Sequence, residues 1–517
     1  MLMIMAVYYG WRMFSLTPWY DELYTYYCFI SKGPVYAAIH WPLPNNHVGY
    51  SVLSGFLDYL GNPYIGLRGV SYICALVNLF LIYKIAERYF KGWQPLGIVL
   101  LYLSMGMVNQ MAVQGRGYTL GVTCYLTAFW CMAEICEKDQ VPGKLYFLYI
   151  VSLTLGLYTV SSDVYWVIPL CLAGGIFLLC RSVTTARSEK LPVCKTMEWK
   201  RLIHLILASL GAAVLTIFLY ATIWLAIGSN LLVKDETSSY YGMGHVDMIL
   251  KAPFDAILRG AGYMLDTPYI QSEARDGFFS RLLEWFVNLS GGIYGGLSIF
   301  TRLLWGFGCI WLLWQVIRKI CLKEKKGLLL DLFLVTGFCF IPAVLLIQCK
   351  RPYYRVFTYV GVLTAFLLRR LLFQLSEFIK TKYLMEKSVY ADGIVAVLIL
   401  VLVVKYMGFT GYNEQYSLRE SQVQDVLEHV DTAQYDRYCV TDCYQEYLLH
   451  FLYDIRCENT RIEDSEVVVL DKRMTDPEFD EMVWEFYHYY DSIPWDYIEE
   501  KMQISYENEG YILYTAD

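Results

Sequence analysis

Charge is what this chain has least of. Only 18% of its 517 residues are charged, against 56% hydrophobic ones, and the mean hydropathy is +0.37. That is too little charge to cover a set of water-soluble domains, so the usual inference from such a length is excluded. The chain has no Cys-x2-Cys pair, which argues against a zinc ribbon. It has no Gly-rich phosphate loop and no Rossmann pattern, so neither of these nucleotide-binding signatures is present. It also shows no internal repeat and no low-complexity stretch. No small-residue cleavage site follows the first apolar segment, which runs into Tyr8, Tyr9, Trp11 and Arg12. A removed leader is therefore not expected, and the segment reads as a first helix a few residues short.

What is present is a series of apolar runs. A helix needs about 20 apolar residues to cross the hydrocarbon. Candidate spans lie near 1–14, 66–86, 95–113, 118–136, 145–160, 163–180, 202–227, 297–317, 328–348, 355–373 and 390–408. The expected fold class is an α-helical multi-pass membrane protein of about eleven spans with a small C-terminal α/β soluble domain. The membrane part covers 1–410 with outer loops 15–65 and 228–296, and the soluble part covers 411–517. In that tail, Gln422–Val430 and Gln445–Tyr453 read as helices. Tyr438–Thr441 and Glu466–Leu470 read as strands, and Gln503–Tyr514 contains a third. The stretch 249–265 has the spacing of an amphipathic helix lying on the membrane surface.

The net charge of -7 is divided unevenly. From Tyr412 onward 26 acidic residues face 7 basic ones, whereas the rest carries 23 against 35. Nucleic acid binding gains no support from this pattern. Basic residues recur in alternate connections: Lys84, Arg88 and Lys91; then Lys138 and Lys144; then 181–201, 318–326 and 369–387. The positive-inside rule places these in the cytoplasm, and the other connections and the acidic tail outside. Most of the 15 cysteines sit in apolar runs as small hydrophobes. Cys439, Cys443 and Cys457 leave room for one disulfide in an external tail. The tail's aromatics Trp484, Phe486, Tyr487, Tyr489, Tyr490 and Trp495 suit either carbohydrate binding or packing on the membrane domain.

Polar residues collect at the outer boundary. Thr17-Pro18-Trp19-Tyr20-Asp21-Glu22 follows the first helix; its plainer reading is a helix N-terminus with acids in the first turn. Pro44-Asn45-Asn46-His47 comes later in the same loop, and Gln114-Gly115-Arg116-Gly117-Tyr118 opens another span. His47 also suits a satisfied loop histidine, and Arg116 a headgroup contact. Asp163 in Ser161-Ser162-Asp163 suits a simple N-cap. Lys350-Arg351-Pro352-Tyr353-Tyr354-Arg355 puts three cations on the outer side, where an anion must meet them. That anion is a lipid headgroup or a substrate phosphate. Carboxylates, amides, a histidine and cations at one boundary can activate an acceptor and stabilise a phosphate leaving group.

The Asp-Glu after the first helix, Pro-Asn-Asn-His, Arg-Gly-Tyr and Arg-Pro-Tyr-Tyr-Arg resemble a known superfamily over roughly 1–410. It is the C-type membrane glycosyltransferases, which include the protein O-mannosyltransferases and lipid A aminoarabinose transferases. The resemblance implies an inverting glycosyltransferase that takes a sugar from a polyprenyl phosphate carrier. The acceptor would be protein, lipid or cell-wall glycan on the extracytoplasmic face. It implies Asp21 as the catalytic base and Glu22 as the residue that orients it. Arg355, with Arg351, Lys350 and Arg116, would bind the donor phosphate. His47, Asn45, Asn46, Tyr118 and Asp163 would shape the sugar or acceptor pocket. Where many relatives carry a second acidic residue near Arg116, this chain has Gly117 and Tyr118, and Asp163 is the candidate substitute. No cofactor is expected, and a divalent metal is not indicated. Two other classes stay open at this level: a lipid-linked glycan transporter or flippase, and a non-catalytic glycan-binding membrane protein. A transporter would be expected to carry its polar residues at the bilayer midplane.

Overall fold

The computed structural model describes residues 1–40, 46–138, 140–228, 242–265, 270–383, 389–407, 417–457, 461–479 and 489–516. Helix α1 (Leu2–Ser15) leads into three short helices at one end of the bundle: α2 (Tyr20–Cys28), α3 (Pro34–Ile39) and α4 (Val48–Asp58). The long α5 (Pro63–Tyr89) follows, with Pro63 in its first turn and the Asn62 side chain accepting from the Tyr64 and Ile65 N–H groups. This satisfies the donors that every helix start leaves bare.

The apolar run 95–113 was expected to be one span and is two helices. They are α6 (Gln94–Leu103) and α7 (Gly106–Val113), bent by 74°. Asn109 explains how the break is tolerated. Its buried amide donates to the Leu103 and Met105 carbonyls, and its Oδ1 accepts from Tyr9 at 2.7 Å. Carbonyls that the helix releases are thus satisfied inside the protein, as apolar surroundings require.

The bundle continues with α8 (Tyr118–Glu137), α9 (Gly143–Thr159), α10 (Val164–Glu189), α11 (Met197–Gly228) and α12 (His245–Leu265). It closes with α13 (Phe278–Ile293), α14 (Ser298–Cys321), α15 (Leu328–Gln348), α16 (Val360–Tyr383) and α17 (Val389–Met407). Among the described residues, six helices are long and apolar enough to cross a membrane, or seven with the bent pair. The protein is a multi-pass membrane protein. The other four expected spans are helical too, but α1 has only 14 residues and α9 has 17. Helix α12 buries one stripe, Met248, Ala252, Ala256, Gly260 and Met264, against α11. Its Ile249, Leu250, Phe254 and Leu258 are exposed, the two-faced pattern expected of an interfacial helix.

Residues 417–516 carry α18 (Leu418–Glu428), β1 (Tyr438–Val440), α19 (Cys443–Tyr453), β2 (Val467–Asp471), α20 (Trp495–Lys501), β3 (Met502–Glu507) and β4 (Tyr511–Ala516). The sheet order is β1-β2-β4-β3, with β1 and β2 parallel and the other pairs antiparallel. The single strand expected within 503–514 is a hairpin. Asn508 turns the chain by accepting from the Gly510 and Tyr511 N–H groups. Among the described residues no disulfide joins Cys439, Cys443 and Cys457.

The tail packs on the bundle, while the described aromatics Tyr489 and Trp495 pack within the tail itself. Trp495 donates to the Tyr490 carbonyl and packs on the sheet with Tyr489. Trp484, Phe486 and Tyr487 lie outside the described residues. The described ring contacts with the bundle come from α19. Tyr447 and His450 both stack on Tyr27 of α2, at 5.1 and 4.8 Å, and Phe451 meets Tyr26 and Tyr64 edge-on.

Helix packing in the bundle relies on small residues. A side chain at Gly308 of α14 would come within 2.8 Å of Leu367, and one at Gly337 of α15 equally close to Leu363. Two leucines one turn apart on α16 thus fill notches in two neighbours. Gly308→Val should cost about 1–3 kcal/mol by overpacking. Thermal unfolding in detergent should show the loss, whereas Gly306→Val, which faces open space, should leave the midpoint nearly unchanged.

Candidate active site

Asp21 and Glu22 lie in the first turn of α2, where the helix dipole favours acids. Successive positions on a helix point about 100° apart, so the two carboxylates face different surroundings. Glu22 is fully buried and meets Arg68 of α5 in a two-pronged ion pair, with both N–O distances 2.8 Å. It also accepts from the Trp19 and Gly115 N–H groups. Glu22 is therefore committed to a buried ion pair. Asp21 instead pairs with Arg355 at 2.8 Å, and these side chains stay 21% and 25% exposed. A carboxylate and a cation separated by 334 residues share one accessible spot.

Around this pair the polar contacts close into a ring. Arg355 sits in a 3-10 turn, Tyr354–Phe357, between α15 and α16, and its Nε donates to the Tyr118 hydroxyl at 3.1 Å. Tyr118, at the start of α8, meets the His47 ring edge-on at 4.9 Å. His47 Nε2 is 3.2 Å from Arg116, and its Nδ1 accepts from the Gly117 N–H at 2.8 Å. Arg116 then reaches the Thr25 hydroxyl at 2.6 Å and the Asp21 carbonyl at 3.3 Å. Thr25 completes the circuit by donating to that same carbonyl.

The Gly115-Arg116-Gly117 triplet makes the ring feasible. A Cβ at Gly115 would sit 2.5 Å from Leu67 and 3.0 Å from Glu22, and one at Gly117 2.4 Å from Thr159 and 3.0 Å from His47. Backbone must approach both side chains closely, and only glycine permits it.

The remaining candidates are placed differently. Asn46 is buried and donates to the Ala37 and His40 carbonyls, so it closes the end of α3. Asn45 lies outside the described residues. Arg351 pairs with Glu273 at 2.6 Å, and Glu273 also holds Arg281, so this cation anchors the segment before α13. Lys350 is buried just beyond α15. Asp163 is buried beside Gly121 and Gly156, a turn deeper than Tyr118, and its carboxylate is not one of the ring's described contacts. Among the described residues, no group of three or more His, Cys, Asp or Glu could hold a metal ion.

Thr25 and Arg68 are members that sequence reasoning passed over. Both left a signal: Thr25 is four residues after Asp21 on one helix face, and Arg68 is a charge inside an apolar run. The tail contributes as well. Tyr444 of α19 donates to the Pro18 carbonyl at 3.1 Å, and Glu420 of α18 accepts from the Tyr20 N–H at 3.0 Å. Helix α2 is therefore held from both sides.

Sequence comparison bears on this arrangement. Residues 48–208 match the family described as dolichyl-phosphate-mannose-protein mannosyltransferase. The chain resembles the C-type membrane glycosyltransferases. The matched stretch is less than half of the chain and contains Arg116, Gly117 and Tyr118, while Asp21 and Arg355 fall outside it. Among solved structures, ArnT from Cupriavidus metallidurans bound to undecaprenyl phosphate is 12% identical. That alignment covers 99% of this chain and 97% of ArnT, with a TM-score of 0.49. The oligosaccharyltransferase AglB from Archaeoglobus fulgidus, in complex with an inhibitory peptide and a dolichol-phosphate, is 11% identical over 92% and 69%, with a TM-score of 0.43. Likenesses of that size say nothing about individual residues or ligands. No curated protein sequence matches the chain.

Two expectations follow from the geometry. Arg68→Met would leave Glu22 buried and unpaired, and should cost about 3–5 kcal/mol. Adding Glu22→Gln should recover part of that loss in the unfolding midpoint. His47 is neutral in the fold, because burial first, and then Arg116 and Arg355, hold its pKa well below 6.5. The Gly117 N–H already occupies Nδ1, the nitrogen that a second proton would have to take. The unfolded chain takes up that proton as pH falls below 6.5, so this contribution to stability is present above that pH and lost below it. Unfolding midpoints from pH 7 down to 5 should fall less steeply in His47→Asn than in the parent. Equal slopes would rule out a buried neutral imidazole.

Proposed function

We propose that this protein is an inverting glycosyltransferase that moves a sugar from a polyprenyl phosphate carrier to an acceptor on the extracytoplasmic face. The observation that carries the reading is the accessible Asp21–Arg355 pair. Asp21 is the general base and Arg355 the ligand of the donor phosphate. A guanidinium has more N–H donors than its contacts with Asp21 and Tyr118 use, and its planar fork matches a phosphate.

In the proposed step the acceptor oxygen or nitrogen attacks the anomeric carbon from the side opposite the phosphate. The new bond forms as the carbon–oxygen bond to phosphate breaks, and its electron pair leaves with the phosphate oxygen. The acceptor proton passes to Asp21. Negative charge grows on the phosphate, and Arg355 is already fixed beside it, so no reorganisation is needed as the barrier is crossed. A resting ion pair has a further use. Phosphate arriving at Arg355 competes with Asp21 for the cation and frees the carboxylate when the donor is bound. Arg116, His47, Tyr118 and Thr25 hold this geometry and wall the site. The carrier's chain can stay in lipid while its phosphate sits at the helix ends.

The family match over 48–208 supports glycosyl transfer, and the basic residues at the other end of the bundle support an external site. The two variants separate the roles. Asp21→Asn should lower turnover by roughly 10²–10⁴-fold with donor binding retained. Arg355→Gln should weaken binding of the polyprenyl phosphate sugar itself. Both are read with purified protein and a panel of such donors, following release of free polyprenyl phosphate by mass spectrometry. Turnover unchanged in Asp21→Asn would remove the base and leave a transporter or binder.

A further inference from the structure

The end of the bundle away from Asp21 holds a second polar feature. Tyr118 and Glu137 are the two ends of the 20-residue α8, which lie about 28 Å apart, close to a hydrocarbon core. Around Glu137, the ends of α5, α8 and α14 and the flanks of α10 and α16 enclose a cavity of about 770 Å³. Eight cationic side chains line it, against three carboxylates, Glu87, Glu137 and Glu324.

Most of these cations are already committed. Arg88 is held by Glu134 and Glu137, and Arg370 and Lys319 share the buried Asp331. Arg181 and Arg318 pair with Glu198 and Glu324. Lys91, Lys325 and Lys326 are different: they are exposed, they line the cavity, and no acidic partner holds them among the described residues. Glu87, the nearest carboxylate to Lys91 in sequence, is taken by Lys84. The ion pairs thus build a rigid rim, and three lysines supply its unspent charge. Phe90, Phe177 and Phe373 add apolar wall on the side of the bundle.

A concave, basic, partly aromatic pocket at headgroup depth between membrane helices suits a phosphate carried by a lipid. Its volume falls in the range of small-ligand sites. We propose that this cavity binds the phosphate headgroup of an anionic lipid in the leaflet opposite the Asp21–Arg355 pair. The inference stands apart from the transfer chemistry and survives if that reading fails. It gives the surplus of positive charge at this end a specific ligand, beyond a general preference for the cytoplasmic side.

Native mass spectrometry of the full chain tests it, with cardiolipin, phosphatidylcholine and inorganic pyrophosphate offered separately. The parent protein should retain cardiolipin in preference to phosphatidylcholine. Replacing Lys91, Lys325 and Lys326 together by Gln should weaken cardiolipin retention roughly 10- to 100-fold. Replacing the exposed Lys32, Lys251 and Lys501 by Gln, as a control of equal charge change, should leave it intact. The three cavity lysines hold no described ion pair, so an unchanged unfolding midpoint is expected for that variant. Equal cardiolipin retention by the parent and the cavity variant overturns the proposal. So does pyrophosphate binding without any preference for cardiolipin, which would make the cavity a site for free phosphate.

Discussion

Glu22 and Arg68 meet in a doubly hydrogen-bonded ion pair that water hardly reaches, and this pair determines where Asp21 can point. Helix α2 is only nine residues long and cannot be stable alone. Pinning its first turn to α5 gives it a fixed height and rotation on the bundle. The pair is costly to desolvate, and it is tolerated because Trp19 and Gly115 donate to Glu22 as well, while the Met13 and Leu16 carbonyls accept from Arg68. With Glu22 turned inward, its neighbour is turned outward toward Arg355. Two carboxylates adjacent in sequence are thus divided between a buried ion pair and an accessible one.

The same helix is gripped from the other side by the C-terminal unit. Tyr27 is stacked by two rings of α19, and the turn before Tyr20 is bonded to Tyr444 and Glu420. Val423, Tyr444 and Leu448 belong to one continuous apolar core with Tyr50 and Leu67 of the bundle. The tail is therefore structurally coupled to the segment that bears Asp21. A site on loops and helix ends gains rigidity from such support on both flanks, which its chemistry needs.

Charge is sorted along the bundle axis in a manner consistent with this division. At one end the Asp21–Arg355 pair stays accessible. At the other, Arg88, Lys319 and Arg370 are locked to carboxylates and enclose a basic hollow. Between the ends the helices interlock through glycine and leucine, because apolar solvent supplies no hydrophobic drive to hold them together.

Local pattern alone determined the apolar segments, their helical nature and the collection of polar residues at one boundary. Those properties depend on periodicity and on runs of residue type, which are visible within a window of twenty positions. Asp21, His47, Arg116, Tyr118 and Arg355 were legible as candidates for the same reason: charge beside an apolar run is conspicuous. Tertiary structure decided what pattern could not. It chose Glu22 rather than Asp21 for burial, and sent Arg351 to Glu273 while Arg355 went to Asp21. It broke the 95–113 helix where Asn109 could satisfy the freed carbonyls, and it docked the tail through α19. Apart from the carbonyls beside Asn109, each of these outcomes turns on partners tens to hundreds of residues apart, whose meeting is set by packing rather than by any spacing along the chain.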